Sequence, residues 1–143
     1  MWNSRGRSAL AVGTVVAAAA LMGTVAGAAE PVDVPPKGQN CWATHYGPIP
    51  AGSRTANGEL YDGNAMTAAT SLSRDPQLPF GTKLKVTNVA NNRSVTVRVN
   101  DRGTYTWSSA VPKCLDLTDG AFAKIGQLTP DPGHLVVKTQ IVK

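Results

Sequence analysis

Apolar and polar residues alternate with a period of two in three stretches of the chain. Leu84 and Val86 share one face of 83–87, with Lys83, Lys85 and Thr87 on the other; Val95, Val97 and Val99 alternate likewise against Ser94, Thr96 and Arg98. That is the pattern of half-buried strands. Asn91-Asn92 lies between the two runs, and asparagine tolerates the positive φ of a tight turn. The pair therefore predicts a hairpin with a valine and leucine face inward and a basic face outward. A third run, 134–142, follows Pro130 and Pro132 and puts Leu135, Val137 and Ile141 on one side.

Shorter signals fill the remainder. Residues 114–117 read as a strand, and Thr118 or Asp119 caps a helical turn through Ala121, Phe122 and Ile125 that stops at Gly126. The stretch 66–82, MTAATSLSRDPQLPFGT, begins and ends like a buried β element but carries a polar interruption, SLSRDPQ. Several short strands, one small helix and no long amphipathic segment predict a mainly β fold, a small closed barrel.

The first part of the chain belongs to a different class. Arg5 and Arg7, then an apolar run from Ser8 to Met22, then the small residues Ala26 to Ala29 read as a signal peptide over 1–29. The apolar run is shorter than the roughly 20 residues a membrane-spanning helix needs. No lipobox cysteine is near, because the first cysteine is Cys41. Residues 30–40, EPVDVPPKGQN, have three prolines and no apolar period, which predicts a flexible arm ahead of a barrel domain at 41–143. The expected product is a secreted, extracellular monomer with no membrane partner.

Charge and cysteine content narrow the chemistry. Removing 1–29 takes away two arginines and no acids, leaving 12 basic and 9 acidic residues, a net +3. That balance suits weak attraction to an anionic cell-wall polymer and lacks the dense basic patch of a nucleic-acid binder. Cys41 and Cys114 are the only cysteines. An even pair in an exported chain reads as one disulfide, worth on the order of 4 kcal/mol in the chain-entropy model. Two free thiols are the alternative, but neither sits in a Cys-x-x-Cys or helix-start setting that would activate it. Two isolated histidines and two distant cysteines supply no metal set, and no cofactor is expected.

Several motifs occur together in order: ATHYG at 43–47, TANGELYD at 55–62, NAMTAA at 64–69, LPFGT at 78–82, VTN at 86–88, RVNDRG at 98–103 and LDL at 115–117. Together they resemble the rare lipoprotein A-like double-psi β-barrel family, and the resemblance covers most of 41–126. It implies a six-stranded double-psi barrel. With its leader, proline-rich arm, QNCWATHYG start and paired cysteines, the chain resembles more closely the secreted papain inhibitors of Streptomyces within that group, which implies protease inhibition.

Enzymes that resemble this group cleave glycans and need a carboxyl group as general acid/base. Asp101 in VNDRG matches their aspartate, and Glu59 in GELYD matches a second acid position. Alone, these two support a peptidoglycan lytic transglycosylase. Where active relatives resemble Thr-Ala-Ala-His, however, this chain has Thr67-Ala68-Ala69-Thr70 followed by SLSRDPQ. Threonine carries no titratable imidazole, and neither His45 nor His134 lies at the matching position.

The expectation from sequence is therefore an inhibitor of papain-like cysteine proteases, with trypsin-like serine proteases as further targets, and not an enzyme. An inhibitor presents a rigid contact loop. Leu72, Arg74 and Pro76 in the interruption and Trp107 in the 104–112 loop are the candidate protease contacts. Lys37 and Gln39 in the arm are candidate transglutaminase sites. Two alternatives stand beside the inhibitor reading: a lytic transglycosylase acting through Asp101, and a non-catalytic cell-wall-binding module using Lys83, Lys85 and Arg98.

Overall fold

A computed structural model describes residues 40–106 and 113–143. The predicted leader, nearly all of the arm with Lys37 and Gln39, and Trp107 lie outside the described residues. Six strands and one helix follow one another: β1 (Asn40–His45), β2 (Thr67–Ser71), β3 (Lys83–Asn88), β4 (Ser94–Gly103), β5 (Lys113–Leu117), α1 (Asp119–Ile125) and β6 (Leu135–Val142). They close into a barrel in the order β1-β5-β2-β4-β3-β6. The expected class, a six-stranded mainly β barrel with one helix and one disulfide, holds.

Two parallel pairs, β1 with β5 and β2 with β4, form the frame. Each joins strands far apart in sequence, so the connecting chain must cross over the barrel ends. The β3–β4 hairpin turns at Asn92, whose φ is 60°, and β6 closes the barrel by pairing antiparallel with both β1 and β3. The hairpin faces are those the alternation predicts: Leu84, Val86, Val97 and Val99 are buried, while Lys83, Lys85 and Thr96 are exposed. Ile141 departs from its predicted inward face and is 57% exposed. It lies near the strand's end and rims a cavity instead of entering the core.

Helix α1 closes the core with Phe122 and Ile125, both fully buried. Thr118 is its N-cap, its side chain accepting from the Ala121 amide while its hydroxyl donates to the Ala65 carbonyl. At the other end Asn88 and Asn91 both donate side-chain amides to the Ile125 carbonyl, at 2.8 and 2.9 Å, satisfying a group the helix leaves open. Gly120 lets the 62–66 loop lie directly on the helix start. A Cβ there would meet Asn64 backbone atoms at 2.8 Å, and the Gly120 amide bonds the Gly63 carbonyl. The disulfide Cys41–Cys114 joins β1 to β5.

Candidate active site

The strand registers place two acids on one row. On β2, Ala69 pairs with Asp101 of β4 on one side and with Asp116 of β5 on the other, and Asp116 in turn pairs with Thr44 of β1. Neighbouring strands lie about 4.8 Å apart, so the two aspartates, each paired with Ala69, stand about 10 Å apart at their Cα positions.

Asp101 is held by three donors. Its Oδ1 accepts from the amides of Ala56 (2.8 Å) and Arg102 (2.9 Å), and its Oδ2 accepts from the Tyr46 hydroxyl at 2.9 Å. Asp116 Oδ1 accepts from Thr44 Oγ1 at 2.8 Å, and no donor from the described residues bonds its Oδ2. Tyr46 packs against Tyr61, ring centroids 5.2 Å apart. Burial, and after it the Asp101 and Asp116 charges, push the Tyr46 phenol well above its ordinary range. It is a proton donor at any pH the site meets.

Glu59 is brought to the other side of β4 for a different purpose. Arg98 grips it with two bonds, Nη1 to Oε1 at 2.7 Å and Nη2 to Oε2 at 2.9 Å, and Asn57 and Asn100 add a bond each. Arg98 first, then the two asparagines, hold its carboxyl down at about 2. A group so acidic does not carry a proton at neutral pH, so Glu59 is unsuited to general acid work. It fastens the TANGE loop: the Asn57 amide docks on the Asn100 carbonyl, Gly58 takes φ +93° for the turn, and Ala56 N–H is thereby aimed at Asp101.

The interruption folds back onto the barrel. Thr70 is fully buried, Gln77 bonds it at 2.9 Å, and the Leu72 amide bonds the Gly103 carbonyl. Leu72 and Pro76 are exposed. Arg74 lines a cavity of about 350 Å3 with Leu78, Leu84, Cys114, Leu115, Thr139 and Ile141, and neither aspartate is among these lining residues. His45 lies beside the acid row, its Nδ1 2.7 Å from Asp119 and its Nε2 3.1 Å from Asp131. His134 stacks on Trp42 at 4.3 Å. On the basic hairpin face Lys83 and Lys85 point to solvent, whereas Arg98 is engaged by Glu59.

Sequence reasoning singled out Asp101 and missed Asp116. The signal was present in Leu115-Asp116-Leu117, an acid set between leucines of a buried strand, where a charge is costly without a purpose.

The lytic transglycolase family model matches residues 39–139. The chain belongs to the lytic transglycolase family. Members of similar sequence include the probable endolytic peptidoglycan transglycosylase RlpA of Synechocystis, 49% identical over 66% of this chain and 27% of that protein. The endolytic peptidoglycan transglycosylase RlpA of Campylobacter jejuni is 46% identical over 70% of this chain and 32% of that protein. The chain thus spans about a third or less of these curated relatives. Among solved structures, an expansin of Clavibacter michiganensis superposes with a TM-score of 0.55 at 25% identity, covering 73% of this chain and 50% of that one.

These findings overturn two expectations, that the chain is a protease inhibitor and that it is not an enzyme. Its similarity to the Streptomyces papain inhibitor, TM-score 0.49 at 23% identity over 73% of this chain and 96% of that one, is too slight to carry an inhibitor function. The relatives at 46 to 49% identity are named as transglycosylases. The physical reason for the misreading lies at Thr70. Its lack of an imidazole was taken as loss of a catalytic group, but a second ionisable group stands across Ala69, on β5.

Proposed function

We propose that this lytic transglycolase family member cleaves the glycan strands of peptidoglycan outside the cytoplasmic membrane, with Asp101 and Asp116 dividing the proton transfers. The observation that carries this reading is the row Asp101–Ala69–Asp116. Two carboxyl groups stand on either side of one register position, with a tyrosine hydroxyl bonded to one of them, and a pair of carboxyl groups is what acid/base cleavage of a glycosidic bond uses.

Asp116 Oδ2 meets no donor from the described residues and is open to the glycosidic oxygen. It protonates the glycosidic oxygen, the bond from that oxygen to the anomeric carbon breaks, and positive charge develops on the ring that remains. The Asp101 carboxylate, fixed by two amides and Tyr46, faces that charge. It then takes the proton of the same sugar's C6 hydroxyl as the oxygen bonds the anomeric carbon, giving a 1,6-anhydro ring. Water is neither added nor lost, and solvent returns the proton from Asp101 to Asp116.

The test is incubation with purified peptidoglycan and mass spectrometry of the products. Anhydro-muropeptides in the wild-type digest, absent with Asp101→Asn, support the reading. Reducing-end products with a water added, or an undigested sacculus, overturn it.

A further inference from the structure

Arg102 follows Asp101 directly and its amide bonds that carboxylate, yet its guanidinium turns elsewhere. Nη1 donates to Thr70 Oγ1 at 2.9 Å and to the Asp101 carbonyl at 3.3 Å, Nη2 donates to the Leu78 carbonyl at 2.7 Å, and the group lies 4.0 Å over the Phe80 ring. All three acceptors are neutral. Among the described residues no carboxylate bonds the Arg102 side chain, although one stands on the preceding residue.

What holds it there is the polar interruption. Thr70 is the register partner of Arg102, next to the Ala69–Asp101 pair. Having accepted from Arg102, its hydroxyl donates to Gln77 Oε1 at 2.9 Å, which also accepts from the Leu78 amide, while Gln77 Nε2 donates to the Ser71 carbonyl at 2.8 Å. The Thr70 hydroxyl both accepts and donates, both ends of the Gln77 amide are engaged, and Thr70 is fully buried. A network linked in this way holds its members in place, and removing one link leaves its neighbours to find other partners. The most attractive other partner for a released guanidinium is an adjacent carboxylate.

We infer that Thr70 and Gln77 are positioning residues that hold the Arg102 guanidinium off the Asp101 carboxylate, leaving that carboxylate free to meet substrate. The inference rests on the transglycosylase reading for its consequence and on the hydrogen-bond chain for its geometry. The titratable and charged groups around the pair are Tyr46 just after β1, Asp116 on β5, Tyr61 in the loop before β2 and Tyr105 after β4. Of these only Tyr46 bonds the Asp101 carboxylate.

The experiment compares Thr70→Val, which keeps shape and removes the hydroxyl, with Thr70→Ser, which keeps the hydroxyl. Thr70→Val is expected to lower kcat about tenfold per folded molecule, with KM within twofold, and to move the acid limb of the pH–rate profile to lower pH, because a paired guanidinium favours the ionised carboxylate. Thr70→Ser restores both. Titration of the 13C-labelled Asp101 carboxyl by NMR reads the same event without turnover, and it moves to lower pH in Thr70→Val. Wild-type kcat and limb in Thr70→Val, or an unmoved carboxyl titration, overturns the inference. If the wild-type chain releases no anhydro product, the functional reading fails, and the NMR titration still decides the geometry.

Discussion

The Tyr46 hydroxyl donates to Asp101 Oδ2 over 2.9 Å, joining the end of β1 to the end of β4 across the barrel mouth. It fixes one lone pair of that carboxylate oxygen. Among the described residues, Asp116, across Ala69, has no such tie on Oδ2. The two carboxyl groups therefore differ in environment although they share a row, and the proposed division of the proton transfers rests on that difference.

That asymmetry is testable by changing the leaving group. Asp116→Asn and Asp101→Asn each lower turnover of peptidoglycan by about 100-fold or more. A muramoyl glycoside with an aryl leaving group of low pKa needs no protonation, so it recovers most of its rate with Asp116→Asn and little with Asp101→Asn. Release of the aryl chromophore checks this, and equal behaviour of the two variants would exchange or abolish the assigned roles.

Glu59 predicts acid sensitivity. Its carboxyl is held at about 2 by Arg98 and the two asparagines, against 4.5 for the free side chain. The native state thus releases this proton more readily than the unfolded chain. The stabilisation is complete above pH 4.5 and is lost as pH falls from there towards 2. Glu59→Gln is expected to melt lower than wild type at pH 7 and to show a flatter fall in Tm between pH 5 and 2. Circular dichroism melts in that window measure it.

His45 predicts the opposite slope. Burial disfavours its cation, but hydrogen bonds and charge from Asp119 and Asp131 outweigh burial and raise its pKa above 6.5. Its contribution is fully present below about 6.5, the unfolded value, and is lost as pH rises through the higher folded value. His45→Gln removes that pH dependence and leaves the Glu59 window untouched. Imidazole proton shifts followed by NMR, with melts from pH 5 to 9, test it.

Gly120→Ala is expected to destabilise by about 1–3 kcal/mol, since the new methyl meets backbone and not a side chain that can swing away. The shift reaches the site, because Tyr61, which packs on Tyr46, immediately precedes the 62–66 loop. A loss of Tm together with a raised KM is the expected pair of readings.

Much of this architecture could be read from local chemistry. The β3–β4 hairpin followed from alternation and Asn91-Asn92, and the helix from Thr118, Gly126 and three apolar positions, because each signal lies within a few residues of what it specifies. The parallel pairs have no such local mark. β1 meets β5 only after 72 residues separate Thr44 from Asp116, so the partnership of those residues was invisible in a linear reading. Thr70 misled for the same reason. Its residue type was evident, whereas its bonds to Arg102 and Gln77, and the acid across Ala69, exist only once the strands are ordered.

The disulfide has a further bearing on how the site comes into being. Cys41 and Cys114 lie on the two strands that carry Thr44 and Asp116, a few residues before each. Of the site's pairings this is among the most distant along the chain, the kind that is slowest to form because a long loop must close first. Once the bond is made, the encounter of β1 with β5 becomes effectively local, and the remaining strands assemble around a seam already stitched. Oxidation thus sets the order of assembly expected of this fold: the oxidised chain is expected to refold faster than the reduced one, which must find the same seam by search.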